Sequence, residues 1–158
     1  MKRKFKNQIF VIAHNIRSAF NIGSIFRISD AAGINKIYLG GFSPSLPNEK
    51  ITKVSLGAEN YIPFESCRSS SRLIKRLKNE GVKIVALENN LKKGINYLKF
   101  KPKYPLVLIL GHEVKGLPKS ILDLADKIIY LPMYGQKESL NVATAFGIAV
   151  YEFNKFRK

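Results

Sequence analysis

Cysteine, acidic residues and long apolar runs are all scarce in this sequence of 158 residues. Its one cysteine, Cys67, excludes an internal disulfide and a cysteine-rich zinc site. The longest apolar runs, 9–13 and 106–110, are far shorter than the ~20 residues that a membrane-spanning helix needs. The basic start of the chain has too short an apolar stretch, and no small-residue cleavage site, for a signal peptide. We therefore expect a cytoplasmic protein without a membrane partner.

Signatures of metal and dinucleotide sites are also missing. The two histidines, His14 and His112, lie far apart, and no HExxH motif or carboxylate cluster has the spacing of metal ligands. No GxGxxG motif follows the first predicted strand, which counts against an NAD enzyme. Cys67 has no general base at motif spacing and is interpreted as an ordinary small residue. We expect no metal in this protein.

What the chain has in excess is positive charge. Twenty-seven Lys and Arg against eleven Asp and Glu give a net charge of +16. This excess favours a polyanionic partner, with nucleic acid ahead of an anionic membrane. The alternative is a lysine-rich proteome that makes every protein basic. Clustering argues partly against that alternative, because the basic residues form three groups: Lys2, Arg3, Lys4 and Lys6; Lys99, Lys101 and Lys103; Lys155, Arg157 and Lys158.

The apolar pattern alternates between short strands and helices, which is typical of an α/β fold. Hydrophobic residues make up 46% of the chain, enough for a sizeable core at this length. We expect one domain, residues 1–158, with a mostly parallel sheet and helices on both faces. The predicted strands are Gln8–Ala13, Lys36–Leu39, Val82–Leu87, Leu106–Leu110 and Lys127–Leu131.

Three of the predicted helices have clear end signals. One, about Asn21–Ala32, carries the apolar stripe Ile22, Ile25, Phe26 and Ser29 and stops at Gly33. The next has candidate caps at Ser69–Ser71, apolar residues at Leu73, Ile74 and Leu77, and a stop at Gly81. A short one follows Pro118. Residues 43–60, which contain Pro44 and Pro47, are expected to be rich in loops.

The C-terminal helix, predicted over Asn141–Phe153, is apolar around nearly its whole circumference. Such a helix is buried in its own core or against a second subunit. Ser139, just before it, is interpreted either as an N-cap whose hydroxyl accepts a backbone N–H, or as a polar group that holds a ligand at the mouth of a buried element.

Two further segments, taken together with this one, favour the second interpretation by their joint pattern. The three segments read NIRSAFNIGSIFRISDAAG at 15–33, LVLILGHEVKGLP at 106–118 and LPMYGQKESLNVATAFGIA at 131–149. Their common elements are an Asn with an Arg six residues on, then LGxExxGL, then LPMxG…SLNV. Together they resemble the three motifs of the SpoU/TrmH family, SPOUT-superfamily RNA 2′-O-ribose methyltransferases that use S-adenosyl-L-methionine. The resemblance covers nearly the whole chain.

The resemblance implies a deep trefoil knot in the C-terminal part, with the cofactor S-adenosyl-L-methionine bent inside it. Chains in general avoid knots, so the strand pattern alone predicts only an open sheet. The missing Cβ of Gly111 is interpreted as letting the chain approach the ligand closely. The residues that the resemblance assigns to the cofactor, largely through their backbone, are Leu87, Gly111, Leu131 and Leu140, with Met133 and Ser139 close by.

Arg27 is the residue that the resemblance assigns to the reacting ribose; otherwise it would be interpreted as a surface arginine. A guanidinium does not normally deprotonate. We therefore expect Arg27 to hold a substrate phosphate or the developing alkoxide, with removal of the ribose proton as the alternative. Asn21 is expected to be an N-cap, an active-site group near the substrate, or both.

Glu113, Ser139 and Asn141 complete the catalytic residues that the resemblance implies. Ser139 and Asn141 would orient Arg27 and the cofactor. Glu113 would pair with a cationic group or brace its loop, the alternative being a solvated loop acid. Two positions depart from the family pattern: His112, interpreted as a loop histidine, replaces a smaller polar residue, and Ala143 stands where serine is frequent.

These features predict an RNA ribose 2′-O-methyltransferase, with tRNA favoured over ribosomal RNA as substrate. The resemblance also implies a homodimer through the C-terminal helix; a helix that is simply central in one subunit is the alternative. Two other functions stay open: a catalytically silent RNA-binding module, and a basic α/β nucleotide-binding protein. Retention of all five catalytic residues argues against the first, and the missing phosphate loop against the second.

Overall fold

A parallel seven-stranded sheet forms the centre of the computed structural model, which describes residues 6–157. Every pair of neighbouring strands is parallel, so the predicted mostly parallel sheet is confirmed. The strands are β1 (Ile9–His14), β2 (Lys36–Gly40), β3 (Phe64–Cys67), β4 (Lys83–Leu87), β5 (Ile95–Asn96), β6 (Leu106–Leu110) and β7 (Lys127–Tyr130). Across the sheet their order is β3-β2-β1-β6-β4-β7-β5.

Helices cover both faces of this sheet, as predicted. They are α1 (Ala19–Ala32), α2 (Glu49–Ser55), α3 (Ser70–Asn79), α4 (Lys119–Leu122) and α5 (Val142–Asn154). Side chains of α1, α2 and α5 join one hydrophobic cluster, and those of α3 and α4 join another. Strand β1 shows why both faces need cover: Ile9, Val11 and Ala13 point into the first cluster, Phe10 and Ile12 into the second. Among residues 6–157, no helix has the length and apolarity to cross a bilayer.

Helix α1 ends as the sequence predicts but begins earlier. Gly33 adopts a left-handed conformation (φ 68°) that terminates the helix, and the predicted apolar stripe is buried. The N-cap is Ser18, whose hydroxyl accepts the backbone N–H of Asn21. The N-cap interpretation of Asn21 is therefore wrong, and its side chain is available for other contacts.

Segment 43–60 is more regular than predicted. Asn48 caps α2 through bonds from the backbone N–H groups of Lys50 and Ile51, and a 3₁₀ turn follows at Ala58–Asn60. Two strands were also missing from the sequence prediction. Both β3 and β5 are at edges of the sheet and are short, so neither carries the apolar run that marks the central strands.

The carboxyl ends of the parallel strands meet at one edge of the sheet. The register pairs His14 with Gly40, Gly40 with Cys67, and Ala13 with Leu110. On the other side of β6, β4 pairs with both β6 and β7 in the same direction. The loops after β4, β6 and β7 therefore emerge side by side, which is where open α/β sheets bind ligands.

Candidate active site

A pocket of about 160 Å³ lies at this carboxyl edge. Leu87 ends β4, Gly111 to Gly116 follow β6, and Leu131 and Met133 follow β7. Ser139 and Leu140 close it from the segment before α5. All six residues predicted to contact the cofactor, from four separate stretches of the chain, thus line one pocket.

Apolar and polar side chains both line this pocket. Leu87, Leu131, Leu140, Val142 and Ala145 supply aliphatic surface, while Ser139 and Glu113 supply polar atoms. This combination suits a ligand with a flat apolar ring system and a polar end. An adenosine derivative has that character, so the residues present fit S-adenosyl-L-methionine.

A hydrogen-bonded network of three side chains joins the three sequence motifs next to the pocket. The Asn21 amide Nδ2 donates to Glu113 Oε1 at 3.0 Å. The Asn141 Nδ2 donates to Asn21 Oδ1, also at 3.0 Å. These three residues belong to α1, the loop after β6 and the start of α5, and they are 92 and 120 positions apart in sequence. These hydrogen bonds fix α1 and α5 relative to the loop that lines the pocket.

Asn141 has a second role as the N-cap of α5. Its Oδ1 accepts the backbone N–H groups of Ala143 and Thr144 at 3.0 and 3.1 Å. The N-cap interpretation of Ser139 is therefore wrong: the helix begins at Val142, and Ser139 lies in the preceding loop. Ser139 faces the pocket instead, where its hydroxyl can contact a ligand.

Glu113 braces its loop against the start of α1. Its carboxylate accepts the backbone N–H groups of Arg17 and Ser18, each at 2.9 Å, in addition to the Asn21 amide. Burial would raise the pKa of Glu113, but these donors stabilise the carboxylate and hold its pKa below the usual value. Of the roles predicted for Glu113, bracing the loop is the one found, and no ion pair to it occurs within residues 6–157.

Glu113→Gln is expected to lower the free energy of unfolding at pH 7 by about 1–3 kcal/mol, because hydrogen bonds to a charged acceptor are lost. The pKa of Glu113 is lower in the folded protein than in the unfolded chain. The ionised carboxylate therefore adds to the free energy of unfolding above the unfolded pKa of about 4.3, and this stabilisation is lost as pH falls through the folded pKa. Urea unfolding of wild type and Glu113→Gln between pH 7 and about pH 2.5 measures this difference and its loss in acid. Glu80→Gln, at an exposed carboxylate, is the control. Equal stability of Glu113→Gln and wild type at pH 7 would contradict the bracing role.

Arg27 lies on α1 but outside the pocket lining. Its side chain is exposed, and within residues 6–157 it makes no hydrogen bond or ion pair. The guanidinium is therefore available to a ligand that approaches the surface of α1. Its role at the reacting ribose stays a prediction.

Gly111 lines the pocket, and its loop gives a second reason for glycine at this position, beside the predicted approach to a ligand. A Cβ at this position would lie 2.7 Å from the carbonyl carbon of Gly116 and 2.8 Å from the backbone N of Leu117. Glycine is thus required because the loop folds back on itself, and not only for approach to a ligand. A bulky substitution at Gly111 would disrupt the loop.

Glu88 is a pocket residue that the sequence analysis missed. It follows β4, and its carboxylate accepts the backbone N–H groups of Asn89 and Leu117. It therefore ties the loop after β4 to the loop after β6. An acidic residue directly after a buried strand, at the ligand-binding edge of the sheet, was the available signal.

His112 also lines the pocket, and its Nδ1 accepts the backbone N–H groups of Val114 and Lys115, both at 3.1 Å. This agrees with its interpretation as a loop histidine. Phe42, after β2, packs edge-on against the His112 ring, with 6.1 Å between ring centroids.

Cys67 is half-buried, and burial raises the pKa of its thiol, as expected for a residue that is not a nucleophile.

The three predicted basic groups differ in exposure and contacts. Lys99, Lys101 and Lys103 are exposed, whereas residues 2–4 and 158 lie outside the described range. The Arg157 Nη1 donates to the carbonyl oxygens of Ala32 and Gly33, at the end of α1. Arg157 therefore stabilises a helix terminus, and its place in a basic surface for RNA stays a prediction.

Comparison with known proteins supports the motif analysis. The model of the SpoU rRNA Methylase family matches residues 8–151. A tRNA (guanosine(18)-2′-O)-methyltransferase of Aquifex aeolicus is 31% identical over 98% of this chain and 72% of its own length. A 23S rRNA (guanosine(2553)-2′-O)-methyltransferase of Bacillus subtilis is 36% identical over 83% of this chain, which spans only 52% of that protein.

Solved structures have the same architecture. The crystal structure of the Aquifex aeolicus TrmH/SpoU tRNA modifying enzyme superposes with a TM-score of 0.84 at 32% identity, covering 98% of this chain and 77% of that one. An AdoMet-bound rRNA methyltransferase from Sinorhizobium meliloti has a TM-score of 0.88 at 27% identity, covering 97% of this chain and 59% of that one.

Proposed function

The chain belongs to the SpoU rRNA methylase family, and from this premise we propose that it transfers a methyl group from S-adenosyl-L-methionine to a ribose 2′-hydroxyl of RNA. The observation that carries the proposal is the hydrogen-bonded chain Glu113–Asn21–Asn141 beside the pocket. It unites the three sequence motifs at one place, although they are distant in sequence.

The cofactor proposal is supported by the character of the pocket. Aliphatic side chains of Leu87, Leu131 and Leu140 would hold the adenine ring, with backbone groups of the adjoining loops available to its polar edge. When bound, S-adenosyl-L-methionine supplies a methyl group that its positive sulfur already activates. The protein must then align the ribose oxygen and assist the loss of its proton.

We assign the catalytic roles as follows. Arg27 would hold the substrate phosphate or the developing alkoxide, because its guanidinium is exposed and free of partners within residues 6–157. Glu113, Asn21 and Asn141 would act as positioning residues that fix α1 through their hydrogen bonds. Ser139 would contact the ligands from the pocket rim. A silent RNA-binding module would have no need of this arrangement.

We favour tRNA over ribosomal RNA as the substrate. The relative that matches 98% of this chain and is itself covered over 72% of its length is named as a tRNA enzyme. Ribosomal RNA is the second candidate, because the Bacillus subtilis relative is named for 23S rRNA. We propose that the protein meets either substrate in the cytoplasm.

Incubation with methyl-labelled S-adenosyl-L-methionine and separated tRNA and ribosomal RNA fractions tests this function. We expect label in the tRNA fraction. Label only in ribosomal RNA would select the second candidate, and binding of RNA without any transfer would support the silent module.

Leu140→Ala removes three side-chain carbons and is expected to raise the Kd for S-adenosyl-L-methionine about fourfold for each one that the ligand covers, at about 0.8 kcal/mol per carbon. Isothermal titration measures this effect. Leu91→Ala is the matched control, since Leu91 is exposed and does not line the pocket. Unchanged affinity in a folded Leu140→Ala protein would place the cofactor elsewhere.

We propose that residues 1–158 form one methyltransferase domain with a C-terminal trefoil knot. The order of the strands supports a knot. Strand β7 lies beside β4, on one side of β6. Helix α5, which follows β7 in sequence, packs against α1, the helix that follows β1 on the other side of β6. The intervening segment passes the loop after β4, where the Asn89 side chain donates to the carbonyl oxygen of Glu138. The shared hydrophobic clusters on both faces of the one sheet support a single domain.

We also propose a homodimer through α5. One face of α5 is buried, but Ile148 and Tyr151 on its other face are exposed, as is Phe20 on α1. Such an apolar surface is better covered by a second subunit than by water.

Sedimentation at micromolar concentration is expected to give twice the 17.8 kDa chain mass. Ile148→Asp should shift the protein towards monomer by placing a charge in the apolar contact. Leu98→Asp, at an exposed leucine outside α5, should leave the mass unchanged. A 17.8 kDa wild-type monomer that methylates RNA would contradict the dimer.

A further inference from the structure

A second cavity, of about 300 Å³, lies at the carboxyl end of β3 and along α3. Three arginines line it, Arg68, Arg72 and Arg76, above Cys67 and Leu73. We call this cavity the arginine groove. It is outside the candidate active site and takes no part in the roles assigned there.

The charge of the arginine groove is largely uncompensated. Arg76 has one acidic neighbour, Glu65, at 3.8 Å, and Glu65 is bound more closely by Lys36 at 2.8 Å. The guanidinium groups of Arg68 and Arg72 are exposed and make no hydrogen bond or ion pair within residues 6–157. The groove therefore presents at least two free guanidinium groups.

This arrangement costs stability, so packing does not explain it. Arg72 and Arg76 are four residues apart on α3, and like charges at that spacing destabilise a helix. Glu65 also lines the groove, but the guanidinium groups of Arg68 and Arg72 have no acidic partner within residues 6–157. A planar guanidinium matches the geometry of phosphate oxygens, which it binds in a bidentate manner.

The groove and the candidate active site share one edge of the sheet. Cys67 at the end of β3 pairs with Gly40 of β2, which pairs with His14 of β1, and β1 is the neighbour of β6. Three strand spacings separate β3 from β6, which amounts to about 14 Å. A polyanion a few nucleotides long can span that distance.

An aromatic side chain lies between the two sites. Phe42 follows β2, is 62% exposed and packs edge-on against His112 of the pocket. Its backbone N–H donates to Asn15 Oδ1 at 3.1 Å, so the loop that presents it is held in place. Exposed aromatic rings beside a basic groove are the usual platform on which unpaired bases stack.

We propose that the arginine groove binds the phosphate backbone of a single-stranded RNA segment that flanks the target nucleotide. The segment runs along the carboxyl edge of the sheet, from Arg68 and Arg72, past Phe42, to the candidate active site. This inference rests on the proposed function, because it names the surface that holds the substrate of the same reaction. A flat anionic membrane would not follow the groove to the pocket.

The test uses a fluorescein-labelled 12-nucleotide oligouridylate, with Kd measured by fluorescence anisotropy between 50 and 200 mM KCl. The groove variant is Arg68→Gln/Arg72→Gln. The matched control is Lys53→Gln/Lys75→Gln, which removes the same charge from exposed lysines of α2 and α3 outside the groove. Affinity for S-adenosyl-L-methionine reports whether each variant keeps an intact pocket.

We expect the groove variant to raise Kd about tenfold and to reduce the slope of log Kd against log salt by about 1.4, or about 0.7 for each phosphate that the protein no longer neutralises. The control should change Kd by less than about twofold, and both variants should bind S-adenosyl-L-methionine like wild type. If the two variants change the Kd for oligouridylate equally, or if neither changes it, the proposal that the arginine groove binds RNA is overturned. A loss of binding to phosphatidylglycerol vesicles with RNA affinity unchanged would also overturn it.

Methyl transfer by the wild-type protein separates this proposal from the one on which it rests. If the wild type methylates RNA while the groove variant binds oligouridylate normally, the groove proposal fails and the proposed methyl transfer stands. If the wild type binds S-adenosyl-L-methionine but neither binds nor methylates RNA, both proposals fail.

Discussion

Arg27→Ala is expected to lower the rate of methyl transfer by a factor of about 10²–10⁴, the usual span for a group positioned to assist proton transfer. Arg27 is held on α1, which the hydrogen bonds of Asn21 fix against Glu113 and Asn141. Its guanidinium is exposed and lies outside the pocket lining, so affinity for S-adenosyl-L-methionine should stay near normal. Single-turnover transfer and isothermal titration separate these two effects.

Arg27→Lys is expected to restore little activity, because a point charge does not replace the planar fork of a guanidinium. Lys53→Ala, at an exposed position on α2, serves as the control for loss of one positive charge. Full activity of either Arg27 variant would show that Arg27 is a surface residue without a role in the reaction.

The second large effect concerns the substrate. A single 2′-deoxy substitution at the target nucleotide is expected to abolish methylation, because the proposed acceptor is the hydroxyl that this substitution removes. RNA binding should change little, since phosphate contacts supply most of the affinity. The same substitution at a neighbouring nucleotide should leave methylation in place. Methyl incorporation into the 2′-deoxy target would indicate methylation of a base.

The central strands could be predicted because their sequences are unambiguous. Leu106–Leu110 is an uninterrupted apolar run followed by Gly111, and the structure places β6 at those residues. Such runs indicate a strand that is buried on both faces. Helix α2 escaped prediction because it is short, follows two prolines and has only Ile51 and Ser55 buried. The hydrophobic periodicity that predicts a helix is weak where few of its residues pack into the core.

Helix caps show a different limit. Ser18 and Asn21 are both good capping residues, as are Ser139 and Asn141, and the sequence does not distinguish them. The choice depends on where the backbone turns helical, which contacts from distant segments decide. Asn141 caps α5 while its amide binds Asn21, 120 positions away.

The motif resemblance identified six residues that the structure brings to one pocket, but it did not supply the physical reasons. Gly111 is constrained by the backbone of Gly116 and Leu117, and Glu88 ties two loops together. The arginine groove was also invisible in the sequence, because Arg68 and Arg72 face it only once β3 and α3 are placed. Tertiary packing, and not local spacing, determines these features.

The central claim is that this chain methylates a ribose hydroxyl. The most direct measurement is nucleoside mass spectrometry of RNA from a strain in which the gene is deleted, after incubation with the purified protein and S-adenosyl-L-methionine carrying a deuterated methyl group. We predict label on the ribose of one nucleoside, lost with Arg27→Ala. Label on a base, or no transfer by a protein that binds the cofactor and RNA, would contradict the claim.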